Sequence, residues 1–121
     1  MSKLILTVDD SPSMRMLLKA SLSAKGFTVE TAEDGVEGLE RLRQLNPNLL
    51  ITDINMPRMD GFELIEQVRA HGAHAALPIL VLSTEFSAEK KARAREAGAT
   101  GWITKPFDAD KLDAAIRRVC P

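Results

Sequence analysis

Apolar and polar positions follow two different rhythms along this chain. Short apolar runs stand at 4–8 (LILTV), 28–31 (TVET, the weakest), 49–52 (LLIT), 79–83 (ILVLS) and 102–104 (WIT). Runs of this length between charged and turn-forming residues read as strands. Between them the apolar residues take helical spacing. Met14, Leu17, Leu18 and Leu22 fall at i, i+3, i+4 and i+8, and Leu112, Ala115, Ile116 and Val119 at i, i+3, i+4 and i+7. Val36, Leu39 and Leu42 share a face, as do Phe62, Ile65 and Val68. Residues 88–97 offer only alanines to a core, so a helix there is expected to be lightly anchored.

Helix ends are legible too. Ser11-Pro12 supplies a cap followed by proline at the first helical position. Asp34 with Glu37, and Asp60 with Glu63, have the spacing of a capping box, and Asp108 can cap the last helix. Gly26 and Gly98 stand where the first and fourth helices should stop. The result is a βα unit repeated five times. Helical crossovers between short apolar strands predict an α/β fold, a five-stranded parallel sheet with helices on both faces.

Length and charge narrow the picture. With 121 residues and no linker or low-complexity tract, one domain over 1–121 is expected, with no output domain. With a net charge of −1, nothing global suggests a nucleic-acid binder. Residues 1–83 carry −3 and residues 84–121 carry +2, an asymmetry able to aim a partner but not to grip DNA. The single cysteine, Cys120, excludes an internal disulfide and fits a reducing compartment. The apolar run after Met1 is too short for a signal peptide or a membrane span, so a cytoplasmic location without membrane insertion is expected. His71 and His74, near Gly72, read as loop residues.

The candidate chemistry lies where the strands end. In an open parallel sheet, ligands bind beyond the carboxyl ends of the strands. Strand one ends in Asp9-Asp10, strand three in Asp53, strand four in Ser83-Thr84 and strand five in Thr104-Lys105-Pro106. If strands one and three are neighbours, as in the order 2-1-3-4-5, three carboxylates share one crevice flanked by Ser83 and Lys105. Two such charges at about 4 Å repel by roughly 4 kcal/mol at an effective dielectric near 20. Lys105 offsets part of this. Oxygen ligands without nearby His or Cys suit a hard divalent ion such as Mg²⁺ for the rest. A carboxylate beside such an ion, a lysine and a hydroxyl is arranged to attack phosphorus, with Asp53 as nucleophile and Ser83 as a hydrogen-bond donor to the product phosphate.

The segments VDDSPSMR (8–15), DINMPRMDGFEL (53–64), GATGW (98–102) and KPF (105–107) are in register with the motifs of one family. Along its whole length the chain resembles a receiver domain of two-component response regulators, of the single-domain, chemotaxis-type, CheY-like kind. The resemblance implies the flavodoxin-like sheet order 2-1-3-4-5. It makes Asp53 the phosphoacceptor, Asp10 a direct Mg²⁺ ligand, Asp9 its partner in holding the ion and Asn55 a backbone-carbonyl ligand. It makes Lys105 the partner of the phosphoryl group, with a cis bond to Pro106, Ser83 the switch hydroxyl and Trp102 the switch aromatic. Ser replaces the commoner Thr, and Trp the commoner Tyr or Phe.

The resemblance also implies partners. The phosphodonor would be a CheA-like histidine kinase, and the target a separate protein such as a flagellar motor switch protein. A monomer without direct nucleic-acid contact is expected. A phosphate sink or a pilus-motility regulator would carry the same residues. Phosphorylation would reshape the surface of helix four, strand five and helix five, where Lys90, Lys91, Arg93 and Arg95 offer a positive rim to an acidic partner. An aspartyl-phosphate phosphatase is a competing enzyme reading, but Asn55 stands where its second carboxylate would act as acid and base. A flavodoxin-like cofactor binder competes too, but Asp9-Asp10 would repel its phosphate.

Overall fold

The computed structural model describes residues 2–121. Strands β1 (Leu4–Val8), β2 (Thr28–Ala32), β3 (Leu49–Thr52), β4 (Ile79–Ser83) and β5 (Gly101–Thr104) alternate with helices α1 (Pro12–Ala24), α2 (Gly35–Leu45), α3 (Gly61–Ala70), α4 (Ala88–Ala97) and α5 (Ala109–Val119). All strand pairings are parallel, in the order β2-β1-β3-β4-β5. The sheet and its helices therefore match the expected α/β fold, with one residue added to the weakest strand run and one to the last.

Side-chain alternation sorts the strands' residues onto two faces. Leu6, Val8, Leu50, Ile79 and Val81 pack on one face with Leu42 of α2, Ile65 of α3 and Ala94 of α4. Ile5, Leu49, Ile51, Leu80 and Leu82 pack on the other with Leu22 of α1 and Ile116 of α5. β1, β3 and β4 are central strands covered on both faces, which is why their sequences read as mostly apolar runs.

The caps hold as the sequence predicts. Ser11, Asp34 and Asp60 accept the backbone N–H three residues on, from Met14, Glu37 and Glu63, and Asp108 accepts those of Asp110 and Lys111. Gly98 ends α4 at φ +120°, a conformation that favours glycine. Ala94 is the one buried residue of α4, so that helix is anchored as lightly as its alanines suggest. The histidine segment is less of a loop than expected, since His71 caps α3 and Gly72–His74 form a 3-10 turn. Leu17 departs from expectation. It is 51% exposed, because it stands about 100° round the helix from the buried Leu18.

Candidate functional site at the carboxyl edge of the sheet

Asp9 directly follows β1 and Asp53 directly follows β3, and β1 and β3 are hydrogen-bonded neighbours with Val8 opposite Thr52. Their side chains therefore leave the sheet at the same level. Asp9, Asp10 and Asp53 each offer a carboxylate oxygen within 4.8 Å of the others. Asp9 and Asp53 are buried while Asp10 is exposed, so the cluster has a closed floor and an open mouth.

Lys105 crosses this cluster from the end of β5. Its Nζ donates to Asp9 Oδ2 at 2.9 Å and to Asp53 Oδ2 at 3.0 Å. Burial pushes its ammonium down, but the hydrogen bonds and charges of Asp9 and Asp53 outweigh that, leaving it above the ordinary lysine value of 10.5. The other oxygens are oriented by backbone. Asp9 Oδ1 accepts the Ser11 N–H at 2.9 Å, and Asp53 Oδ1 the Ile54 N–H at 2.7 Å. Arg15, one turn into α1, donates Nη1 to the Asp9 carbonyl at 2.7 Å and adds positive charge at the rim. The Lys105–Pro106 peptide is cis.

Among the groups whose charged atoms meet in the cluster, three carboxylates and one ammonium leave two negative charges, since Arg15 bonds a backbone carbonyl. A divalent cation balances that, and the donors are hard oxygens. The cluster thus fits Mg²⁺, with Asp9, Asp10 and Asp53 as the residues able to hold it. The turn after Asp53 folds back on itself, with the Gly61 N–H donating to the Ile54 carbonyl at 2.8 Å. Only glycine fits at 61. A Cβ there would lie 2.2 Å from the Asp53 carbonyl oxygen.

The remaining residues singled out in the sequence meet at the β4–α4 loop. Ser83 is buried at the end of β4, and its Oγ accepts the Glu85 N–H at 3.2 Å. Trp102, half-buried on β5, donates its indole N–H to the Glu85 carbonyl at 3.1 Å. The Asn55 amide donates to the Glu85 carboxylate at 3.3 Å, and Lys90 pairs with the same oxygen at 2.9 Å. Those two contacts, Lys90 foremost, hold the Glu85 carboxyl below the ordinary glutamate range. Glu85 is thus a junction between the Asp53 turn, the start of α4 and Trp102. Sequence reasoning missed it, and its one signal was an acidic residue two places beyond the candidate hydroxyl.

The expected positive rim is smaller than four residues. Lys90 is occupied by Glu85, and the Arg93 guanidinium lies 4.0 Å over the Phe62 ring of α3. Lys91 and Arg95 remain. They line a cleft of about 250 Å³ between α4 and β5, floored by Trp102 and Gly101.

Comparison with known proteins agrees with this fold. The family profile of the response regulator receiver domain matches residues 5–117. Response regulator MprA of Mycobacterium ulcerans (strain Agy99) is 44% identical over 117 residues, covering 97% of this chain and 50% of that protein. The chain therefore spans about half the length of the curated relatives it matches. Among solved structures, the chemotaxis protein CheY4 of Vibrio cholerae superposes with a TM-score of 0.94 at 41% identity, covering 98% of this chain and 99% of that one. The signal receiver domain of a signal transduction histidine kinase from Syntrophus aciditrophicus gives 0.91 at 30% identity, covering 98% of this chain and 90% of that one. With its doubly wound sheet and the acidic cluster at its carboxyl edge, the chain belongs to the response regulator receiver domain family of two-component signalling.

Proposed function

We propose that Asp53 accepts a phosphoryl group from the phosphohistidine of a histidine kinase, and that the aspartyl phosphate switches the α4–β5–α5 surface between partner-binding states. The observation that carries this reading is the Lys105 ammonium shared between Asp9 and Asp53 in a three-carboxylate cluster. A carboxylate attacking phosphorus needs its own charge balanced before the electron-rich phosphoryl group can approach, and afterwards needs cations on the transferred oxygens. Asp53 is 8% exposed, enough to meet a donor at the crevice mouth while water is largely kept out.

Each neighbour then has a part. An Asp53 oxygen forms the new bond to phosphorus as the bond to the donor's nitrogen breaks. The Lys105 amine pairs with a transferred oxygen. Asp9, Asp10 and Asp53, with the Asn55 carbonyl, would hold Mg²⁺, which when bound would neutralise charge on the phosphoryl oxygens. The Ser83 hydroxyl turns its proton to the phosphate. Because Ser83 Oγ also accepts the Glu85 N–H, that turn pulls on the loop to which Trp102 and Lys90 are tied. The Trp102 indole and the Lys91–Arg95 cleft are where the change reaches the surface, and α4 resists it weakly because only Ala94 is buried.

The chemotaxis assignment is supported by the match to CheY4 across 99% of that chain, and an acidic segment of a separate motor-type target suits the Lys91–Arg95 cleft. The MprA regulators are about twice as long as this match, and a receiver within such a protein would turn the same surface toward its own chain. Incubation with a small acyl phosphate, with and without Mg²⁺, followed by intact mass measurement, tests the phosphoacceptor. One phosphoryl adduct is expected on wild type with Mg²⁺ and none on Asp53→Asn. An equal adduct on the variant places the acceptor elsewhere.

A further inference from the structure

Asp34 is a buried carboxylate that the proposed chemistry does not use. It lies 3% exposed at the start of α2, apart from the acidic cluster. Its Oδ1 caps the helix through the Glu37 N–H at 2.9 Å. Arg58, in the loop between Asp53 and α3, forks onto the same carboxylate, Nε to Oδ2 at 2.8 Å and Nη2 to Oδ1 at 3.1 Å. The adjoining backbone adds a third tie, from the Gly35 N–H to the Met59 carbonyl at 3.3 Å.

Arg58 adopts φ +66°, a left-handed conformation disfavoured for a residue with a Cβ. A backbone held in that region persists when its surroundings over-determine it. The fork does this, since a planar guanidinium bound through two nitrogens fixes direction as well as distance. The loop so fixed begins at Asp53 and contains Asn55. At its other side, Asn55 has only the 3.3 Å contact to a half-exposed glutamate.

We propose that Arg58 is a positioning residue: forked to Asp34, it holds the β3–α3 loop in the conformation that completes the cation site, and so sets the affinity of the acidic cluster for a divalent ion. This rests on the reading of the cluster as an Mg²⁺ and phosphoryl site. Neither Arg58 nor Asp34 touches the reacting atoms.

Three variants of the full chain test it. Arg58→Gly removes the fork and, because glycine accepts φ +66°, removes the backbone strain as well. Asp34→Asn keeps an oxygen for the Glu37 N–H and loses the second acceptor for Arg58. The third variant combines them. Without metal, amide hydrogen exchange over residues 54–60 is expected to accelerate in all three, while exchange in β1 and β3 stays at the wild-type rate. An Mg²⁺ titration followed by amide NMR is expected to show affinity weaker by about threefold to tenfold, with the double variant no worse than either single one. Unchanged loop exchange and affinity, or losses that add in the double variant, overturn the proposal. Wild-type protein that takes up neither Mg²⁺ nor a phosphoryl group overturns the reading of the site itself. Wild type that takes up both, with variants that match it, overturns the role of Arg58 alone.

Discussion

Gly61 is the position where a single methyl group should disturb both the fold and the chemistry. A Cβ placed there would stand 2.2 Å from the Asp53 carbonyl oxygen, 2.8 Å from Ile54 Cα and 2.9 Å from Ile54 Cδ1. Two of those atoms are backbone and cannot rotate away. Ordinary contact begins at 3.4 Å, so the Asp53–Ile54 backbone must recede by 1.2 Å, or the start of α3 must move by as much. Either shift breaks the Gly61 N–H bond to the Ile54 carbonyl. Overpacking against rigid backbone costs about 2–3 kcal/mol. For a chain of this length that lowers Tm by about 8–12 °C. A displacement of about 1 Å at a reacting group slows a reaction by about 10²-fold. Thermal denaturation of Gly61→Ala and its phosphorylation rate with an acyl phosphate measure the two effects. Gly72→Ala is the control, because nothing lies within 4 Å of its Cβ and the same methyl should leave both unchanged. A Gly61→Ala protein within about 0.5 kcal/mol of wild type that is phosphorylated at the wild-type rate would refute the steric reasoning.

Three further outcomes are expected. Lys105→Met removes the ammonium between Asp9 and Asp53, and phosphoryl incorporation measured by intact mass should slow by about 10²- to 10³-fold; a wild-type rate contradicts the role of Lys105. Trp102→Phe keeps a ring but loses the indole bond to the Glu85 carbonyl, so urea denaturation should show a loss of about 0.5–1.5 kcal/mol with phosphorylation unchanged. Arg58's hydrogen bonds, foremost, and the Glu37 N–H hold Asp34 below its ordinary 3.8 despite burial. Its contribution is therefore complete above that value and lost as pH falls through the lower, folded-state value. Denaturation across that acid window should show a smaller loss for Asp34→Asn than for wild type, and parallel curves would contradict the pairing.

Much of this was legible because one physical rule governs it. Strands buried on both faces must be apolar, so a carboxylate or amine following one of them marks where the sheet meets solvent. Asp9 and Asp53 each follow such a run directly, Lys105 follows the half-buried edge strand β5, and parallel pairing puts all three at one edge of the sheet. The capping aspartates were legible for a similar reason, since short acceptors before helical spacing have one main use. Other features depend on contacts that spacing does not encode. Leu17 has helical spacing yet lies outside the arc that meets the sheet. Arg93 belongs to a basic run, but its position on α4 turns it to the Phe62 ring. The left-handed backbone at Arg58 carries no sign in a residue that is not glycine. The role of Glu85 emerges only once β3, β4 and β5 bring Asn55, Ser83 and Trp102 to one loop.

The most direct measurement is chemical localisation of the phosphoryl group. Borohydride converts an acyl phosphate on aspartate to homoserine, which peptide mass spectrometry then locates. The expected result is homoserine at position 53, dependent on Mg²⁺, with Asp9 and Asp10 unmodified. Homoserine at 9 or 10, or phosphate recovered on a serine or histidine with Asp53 intact, would contradict the central role given to Asp53.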